Sequence, residues 1–439
     1  MRFPLLALAF LTLPAVAEDL QQVYRDAKGY DAQYSAARYA LQAGMEKLPQ
    51  GRALLLPTIG LTANATLTRT DTEPHNTSVA PNSLRDARSN GYSLSFSQPV
   101  FRAQNKLQYS QSEHQVKQAE AVFGQSAQDL ILRTAQAYFD VLAAQDTLAL
   151  VQAQKTAIGE QLAQAKRNFE VGTATITDTH EAQARFDLSV SQEIAAQSDL
   201  EAKRRALQQI AGKEYAALKG LRTQVRLTPP TPANMQSWVD IAEKQGYPVQ
   251  IQSSAAEIAA LEARRTAAAH YPTVDLVASY GTTAQTASQF SAVPANVNSG
   301  VFGLQFGLPL YQGGAISSRE REAAALNEKA KQDLENARRS AALATRQSYL
   351  AVINGTAQIS ALEQALISST SALDSNKLGY EVGVRINIDV LNAQQQLFST
   401  RRDLAVARYN TITNHLRLKA AAGTLREDDL EEVNRALEP

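Results

Sequence analysis

The chain has 439 residues, no cysteine, and 43 basic against 43 acidic side chains, so its formal net charge at pH 7 is zero. The absence of cysteine excludes disulfides and thiol chemistry. Lys and Arg are interspersed with Asp and Glu along the chain, which excludes the basic stripe typical of a nucleic-acid-binding surface. The length alone would allow two or three domains.

The first 17 residues have the features of a secretory signal. Arg2 supplies the positive start, residues 5–13 form a short apolar run, and Ala-Val-Ala at 15–17 provides the small residues of a cleavage site. The apolar run is shorter than the about 20 residues that a membrane-spanning helix needs. We therefore predict that residues 1–17 direct export and are removed. No later stretch is apolar enough for a membrane-spanning helix.

After the signal, the sequence contains a long internal repeat with an offset of 211 residues. The stretch 169–183 matches 380–394, and a glycine in each copy, Gly172 and Gly383, follows a valine. The same offset aligns further residues: Asp178 with Asp389, Tyr138 with Tyr349, and Gly212 with Gly423. A repeat of this length indicates one structural unit used twice, with the two copies packed about a pseudo-symmetric interface.

The repeat predicts the organisation of the mature chain. The predicted segments are a first repeat at 18–212, a linker or equatorial region at 213–237, a second repeat at 238–424 and a C-terminal tail at 425–439. Each repeat should contain a helix, a pair of strands, a very long helix and a return helix.

The long helices are predicted at 102–168 and 312–378, which lack proline and are rich in Ala, Gln, Glu, Lys and Leu. Each covers about 67 residues, or roughly 100 Å at 1.5 Å per residue. Helices this long are typical of coiled-coil rods, in which alanine lets neighbouring helices approach closely. The other predicted helices are the return helices at 178–211 and 389–422 and shorter stretches at 20–48 and 238–270.

Strand pairs are predicted at about 54–70 and 90–99 in the first repeat, and at 272–282 and 300–309 in the second. Apolar and polar residues alternate in them, as in Gly-Tyr-Ser-Leu-Ser-Phe-Ser at 91–97. This pattern is typical of transmembrane barrel strands, although a soluble hairpin with one buried face would show it too. The export signal and the rod-like helices favour the barrel.

The number of strands has a consequence for assembly. Polar segments at 71–89 and 282–299 separate the strands of each pair and are predicted to be extracellular loops. Four strands are too few to close a barrel, since the smallest membrane barrels have about eight. Several copies must therefore share one barrel. Two copies would supply eight strands and three would supply 12.

Nothing in the sequence indicates catalysis. Glycine-rich nucleotide-binding patterns are absent, and the five histidines do not have metal-ligand spacing. They lie at scattered positions: His75, His114, His180, His270 and His415. We predict that the protein is not an enzyme and uses no cofactor or metal.

The segments 378–394, 404–410 and 418–424, together with the duplication and the strand pairs, resemble the TolC family of outer-membrane channel-tunnels. The resemblance covers essentially the whole mature chain. It implies a mainly α protein with a small β part that forms a homotrimer. The trimer would place a 12-stranded β-barrel in outer-membrane lipid, above an α-helical tunnel in the periplasm.

The resemblance also implies a function. The protein would be a passive exit duct for type I protein secretion or small-molecule efflux. Its partners would be a periplasmic adaptor and an inner-membrane ABC or proton-driven transporter. The alternative is a non-conducting envelope scaffold anchored by its β-hairpins. The small polar residues of the strands favour a lumen.

By the same resemblance, Asp389 and Asn392 line a pore constriction just after the second Val-Gly turn. A family member carries aspartate at both positions, so the neutral Asn392 is expected to remove one of two acidic rings. Asp389 also begins a helix, where its carboxylate could instead cap free amide groups.

A closed-state latch is implied between Tyr380 and Arg385 on one side and Thr177 and Asp178 on the other. An exposed ion pair contributes only about 1 kcal/mol or less, which is weak enough for a partner protein to break. The alternative is ordinary pairing of surface side chains.

Overall fold

The computed structural model describes residues 17–75, 83–222, 229–286 and 293–438. The predicted signal, except for Ala17, lies outside these ranges, as do parts of the predicted loops and of the linker. The helices and strands, in chain order, are α1 (Leu20–Tyr30), α2 (Ala32–Met45), α3 (Lys47–Ala53), β1 (Thr58–Thr72), β2 (Ser83–Phe101), α4 (Ala103–Glu170), α5 (Ile176–Ala211), α6 (Met235–Gln245), α7 (Tyr247–Ala267), β3 (Thr273–Gln285), β4 (Ala295–Gly307), α8 (Ala315–Glu381), α9 (Asn387–Ala421) and α10 (Asp428–Asn434).

These elements confirm a mainly α chain with a small β part. The long helices α4 and α8 contain 68 and 67 residues, close to the predicted lengths. The shorter stretch predicted as one helix at 20–48 is divided at Asp31, whose side chain accepts a hydrogen bond from the backbone N–H of Tyr34 (2.6 Å). Within the described ranges, no helix combines the length and the apolar character that crossing a membrane requires.

The strands extend further into the predicted loops than expected. Thr72 pairs with Ser83 at the far end of the β1–β2 ladder, and β3 and β4 run to Gln285 and from Ala295. The predicted loops 71–89 and 282–299 are therefore too long. Polar composition suggested loops, but opposite charges facing each other across a ladder also stabilise a sheet. Arg69 and Asp86 (3.9 Å), both exposed, face each other in this way across the β1–β2 ladder.

The first strand, in contrast, begins later than predicted. Residues 54–57 belong to the turn after α3 rather than to β1. The helix continues past Pro49 because proline is tolerated in the first turn, where its missing N–H would have no helical partner. Pro57 then directly precedes the first paired residue, Thr58.

The four strands form a single antiparallel sheet with the order β1-β2-β3-β4. The central pairing, β2 with β3, joins a strand of the first repeat to a strand of the second, for example Leu94 with Tyr280. At the end of β2 the register shifts between Pro99 and Phe101. The duplicated strand pairs are thus halves of one sheet.

The chain divides into two compact units, and each takes segments from both repeats. One unit comprises Met1–Ala40, Ala121–Gln250 and Asn336–Pro439, and the other comprises Leu41–Glu120 and Ile251–Glu335. The repeats are thus units of sequence, whereas the compact units combine corresponding parts of the two copies.

The unit containing the sheet has an ion pair where β2 leads into α4. Arg102 donates from Nε to Asp275 Oδ1 (2.8 Å) and from Nη2 to Oδ2 (2.5 Å). Asp275, on β3, is buried. Two parallel hydrogen bonds fix the guanidinium and the carboxylate in one geometry, so this pair ties the start of α4 to the sheet.

The helical unit has its main core between α1, α4, α5, α9 and α10. Leu20, Leu130 and Leu430 are fully buried in it, and Phe139 lies beside Tyr409. Complete burial of one such apolar side chain contributes about 1.5–3 kcal/mol. The core therefore holds the C-terminal parts of α5 and α9 against the middle of α4, away from the hairpin turns.

Two aligned tyrosines hold connecting segments onto this unit. The Tyr138 hydroxyl donates to the carbonyl oxygens of Glu18 (3.2 Å) and Lys219 (2.8 Å). Its counterpart, Tyr349, donates to the carbonyl oxygen of Ala233 (3.0 Å). The two tyrosines therefore occupy matching positions on a helix, and both anchor irregular backbone to it.

Candidate functional site at the hairpin turns

The two long helices end in turns of the same geometry. Gly172 has φ +81° and Gly383 has φ +77°, a left-handed conformation that favours glycine. In each turn the residue after glycine donates its N–H to a carbonyl oxygen five residues earlier: Thr173 to Asn168 and Val384 to Gly379, both at 2.8 Å. The Val-Gly sequence thus makes the chain reverse direction at corresponding points of the repeat.

The helices after the turns begin differently. Thr175 starts α5 with a reciprocal cap: its Oγ1 accepts from the N–H of Asp178 (3.3 Å), and Asp178 Oδ2 accepts from the N–H of Thr175 (2.9 Å). The Thr175 hydroxyl also donates to Asp178 Oδ2 (2.8 Å). This capping box satisfies amide groups at the helix start. The Asp178 carboxylate therefore acts as a helix cap.

Asp389 is in a different environment, although it aligns with Asp178. The position matching Thr175 is Ile386, which makes no side-chain cap. The Asp389 carboxylate lies 3.7 Å from Nη1 of Arg385, and the two side chains are 34% and 58% exposed. Since Ile386 cannot complete the capping box, the carboxylate of Asp389 is left directed toward a solvent-exposed cation.

One helical turn further on, Asn392 contacts the other hairpin. Its Oδ1 accepts a hydrogen bond from Arg185 Nη2 (3.0 Å), and Gln395 Oε1 accepts from Arg185 Nη1 (2.5 Å). Arg185 lies on α5 and is half-buried. The second candidate constriction position therefore holds a neutral amide bonded to an arginine.

The candidate latch residues have partners other than those implied by the resemblance. Tyr380 Oη accepts from Asn168 Nδ2 (3.1 Å), which links the ends of α8 and α4. Arg385 pairs with Asp389, Asp178 caps its own helix, and Thr177 is exposed. Within one chain the structure therefore joins the hairpins through Tyr380 and does not bring Arg385 to Asp178. A latch between these two side chains stays a prediction for the assembled protein.

Packing holds the start of α9 in place. Val390 packs with Leu373 and Leu397, and Leu391 lies in a cluster with Leu162 of α4 and Ala182 of α5. Because Val390 and Leu391 are buried, Asp389 and Asn392 on either side of them are directed to the less buried faces of the helix.

Sequence reasoning missed three polar contributors to this region. Asn168 and Arg185 bond to Tyr380 and Asn392 as described above, and Gln161 Nε2 donates to Oδ1 of the buried Asn387 (2.5 Å). Asn168 aligns with Gly379 and Arg185 with Gln396. Asn168 and Arg185 could have been singled out in the sequence because each differs from the residue at the matching position of the second repeat.

The described residues contain no grouping of three or more His, Asp or Glu side chains that could hold a metal ion.

Each copy of the repeat has one strand pair and one long helical hairpin. Comparison with known proteins identifies the class of protein that has this duplicated unit. The model of the family described as "Outer membrane efflux protein" matches residues 23–213 and 249–424, which fall largely within the two predicted repeats. The chain belongs to this family, and the resemblance to TolC proteins is confirmed.

Full-length relatives support this assignment. "Outer membrane protein TolC" of Vibrio cholerae is 34% identical over 434 residues, covering 98% of this chain and 96% of the relative. "Alkaline protease secretion protein AprF" of Pseudomonas aeruginosa is 32% identical over 430 residues, covering 97% and 89%. The crystal structure of the outer membrane protein VceC from Vibrio cholerae has the same fold, with a TM-score of 0.78 at 20% identity over 92% of this chain and 96% of that one.

Membership of this family establishes the class of function and the location. The protein is an outer-membrane exit duct for type I secretion and/or efflux, with a helical portion in the periplasm. The family consists of channel proteins, which are not enzymes.

Proposed function

We propose that three copies of the chain assemble into one duct, with a shared 12-stranded barrel. The sheet supports this assembly, because β1 and β4 each have one neighbouring strand among those described. An unpaired strand edge presents free N–H and C=O groups that must be covered, and in lipid only a closed barrel covers them all. The β1 edge of one copy would pair with the β4 edge of the next.

Exposed apolar side chains of the edge strands support contact with outer-membrane lipid. On β1, Ile59 and Leu61 are 70% and 71% exposed, and on β4, Phe302 and Leu304 are 79% and 70% exposed. An apolar surface of this extent needs a partner, and hydrocarbon chains are the partner that outward-facing barrel residues take.

The partners in transport would be a periplasmic adaptor and an inner-membrane ABC or proton-driven transporter. Similarity to the alkaline protease secretion protein AprF, a relative named for protein export, supports a role in an assembly of this kind. The hairpin turns offer a surface for the adaptor, since Val171 and Val384 are 73% and 78% exposed there. Exposed apolar residues at a turn of this kind are suited to docking a protein partner.

At the hairpin turns, Asp389 would form an acidic ring around the constriction and Asn392 would flank it. The observation that carries this part is the missing cap at Ile386, which leaves the Asp389 carboxylate outside the capping geometry of Asp178. Three such carboxylates around a narrow opening would attract cations and repel anions. The contacts of Tyr380 and Arg385 would act as weak links of the closed state.

Replacing Asp389 with Ala should lower the preference of the duct for cations. Removing three carboxylates from the constriction makes its potential less negative, so the ratio of K⁺ to Cl⁻ permeability should fall below the wild-type value. The measurement is the reversal potential in planar lipid bilayers that separate two KCl concentrations.

Asp178→Ala provides a matched control, because it removes the aligned aspartate from the other repeat. Loss of its capping box should lower stability by about 1 kcal/mol and leave the permeability ratio unchanged. If Asp389→Ala behaves in the same way, with lower stability and an unchanged ratio, Asp389 is a structural residue and the constriction lies elsewhere.

A further inference from the structure

Arg185 places a positive charge at the position where the constriction is expected to be weakly acidic. Its Nη1 and Nη2 atoms donate to Gln395 Oε1 (2.5 Å) and Asn392 Oδ1 (3.0 Å). Both recorded acceptors are neutral amides. An arginine remains protonated at any physiological pH, so these contacts fix its position and do not neutralise its charge.

Acidic residues near Arg185 in sequence do not form an ion pair with it in the described part of the chain. Glu181, one helical turn earlier, lies on the same face of α5 but forms no ion pair with the guanidinium among the described residues. Asp187 is two positions later, where side chains on a helix do not face each other, and it accepts a hydrogen bond from Gln183 (2.9 Å).

Because residue 392 is asparagine, it does not neutralise the positive charge of Arg185. An aspartate at this position would face the guanidinium and cancel its charge in a close pair, whereas Asn392 supplies only a carbonyl oxygen. Asp389, one turn earlier on α9, lies 3.7 Å from Arg385. Asp389 thus has a cationic neighbour in Arg385, whereas the acceptors of Arg185 are neutral amides.

We propose that Arg185 is a selectivity-determining residue of the duct. It opposes the Asp389 ring and thereby makes the constriction more permissive to anionic cargo. The proposal rests on the proposed function, in which Asp389 and Asn392 surround the narrowest point. The guanidinium of Arg185, held against the neutral amides of Asn392 and Gln395, is the feature that carries it.

Arg185→Gln tests the proposal in bilayers of the full-length protein under a KCl gradient. Loss of three positive charges should raise the ratio of K⁺ to Cl⁻ permeability by roughly fivefold to tenfold, if each guanidinium acts through water at about 8 Å and salt screens the interaction to about a third. Arg185→Lys retains the charge but loses the paired contact of Arg, and it should keep a ratio near the wild-type value.

Arg205→Gln provides a control on the same helix. Arg205 lies 20 residues further along α5, roughly 30 Å away, and pairs with Glu201 (2.7 Å). Its replacement should leave the ratio unchanged.

The outcomes separate this proposal from the one on which it rests. If Asp389→Ala lowers the ratio while Arg185→Gln leaves it unchanged, Arg185 is only a structural link between the hairpins. The proposal of an acidic constriction at Asp389 is then supported, and the proposal about Arg185 is wrong. If Arg185→Gln raises the ratio and Asp389→Ala has no effect, the arginine determines selectivity without an Asp389 ring. If neither changes the ratio, both proposals are wrong. If Arg185→Lys changes the permeability ratio as much as Arg185→Gln does, the positive charge of Arg185 does not determine selectivity and the proposal is wrong.

Discussion

Arg133→Met should lower the free energy of unfolding of the detergent-solubilised protein by about 3 kcal/mol at pH 7. Arg133 donates to both carboxylate oxygens of Asp31, at 2.9 and 3.1 Å, and the Asp31 side chain is only 7% exposed. Methionine fills a similar volume but leaves Asp31 as an uncompensated buried charge. Unfolding in urea, followed by circular dichroism, measures the loss.

The effect should depend on pH in a defined direction. Hydrogen bonds from Arg133 hold the pKa of Asp31 below its ordinary value, against the opposing effect of burial. A carboxyl group with a lowered pKa contributes stability above its unfolded pKa, and this contribution is lost as the pH falls through the folded pKa. The difference between wild type and Arg133→Met should therefore be largest near neutral pH and shrink below about pH 4.

Asp129→Asn is the control for this prediction. Asp129 also accepts from Arg133 (2.7 Å), but its side chain is 43% exposed and lies one helical turn away on α4. Its loss should cost less than about 1 kcal/mol. Equal losses from Asp129→Asn and Arg133→Met would contradict the importance of the buried pair.

The double variant Tyr380→Phe, Arg385→Ser should conduct ions more readily than the wild type. The first change removes the hydroxyl that accepts from Asn168 across the two hairpins. The second removes the cation 3.7 Å from Asp389. The link through Tyr380 contributes about 1 kcal/mol or less, and loss of Arg385 leaves the proposed ring of Asp389 carboxylates more strongly self-repelling. The double change should therefore shift the hairpins toward an open arrangement and increase the mean single-channel conductance.

Arg402→Ser serves as the control for the double variant Tyr380→Phe, Arg385→Ser. Arg402 lies further along α9 and pairs with the neighbouring Asp403 (3.0 Å), with both side chains exposed. It should leave the conductance unchanged, and the double variant should retain the thermal stability of the wild-type oligomer. Unchanged conductance in the double variant would show that Tyr380 and Arg385 make ordinary surface contacts and do not hold the duct closed.

Much of the fold could be predicted from the sequence because it depends on local signals. The absence of proline across α4 and α8 and the glycine of each Val-Gly turn determine where helices continue and where they reverse. The strand ends were less predictable, because the ladder between Thr72 and Ser83 depends on pairing between distant residues rather than on local polarity.

The positions of the two hairpin turns were predictable from the sequence, but the contacts of the candidate site residues were not. The repeat aligns Asp178 with Asp389, yet the difference between Thr175 and Ile386 gives the two carboxylates different partners. The bonds of Arg185 to Asn392 and of Asn168 to Tyr380 join residues more than 200 positions apart. No local pattern encodes such pairs, since they form only after α4, α5, α8 and α9 have packed.

The mass of the protein extracted from outer membranes tests most directly the claim that several chains share one duct. Each copy supplies four strands to the sheet, so a closed barrel needs more than one copy. We predict a single species of three copies by light scattering on a detergent-solubilised sample, after subtraction of the detergent mass. A homogeneous monomer that retains the β-sheet signal in circular dichroism would contradict the account.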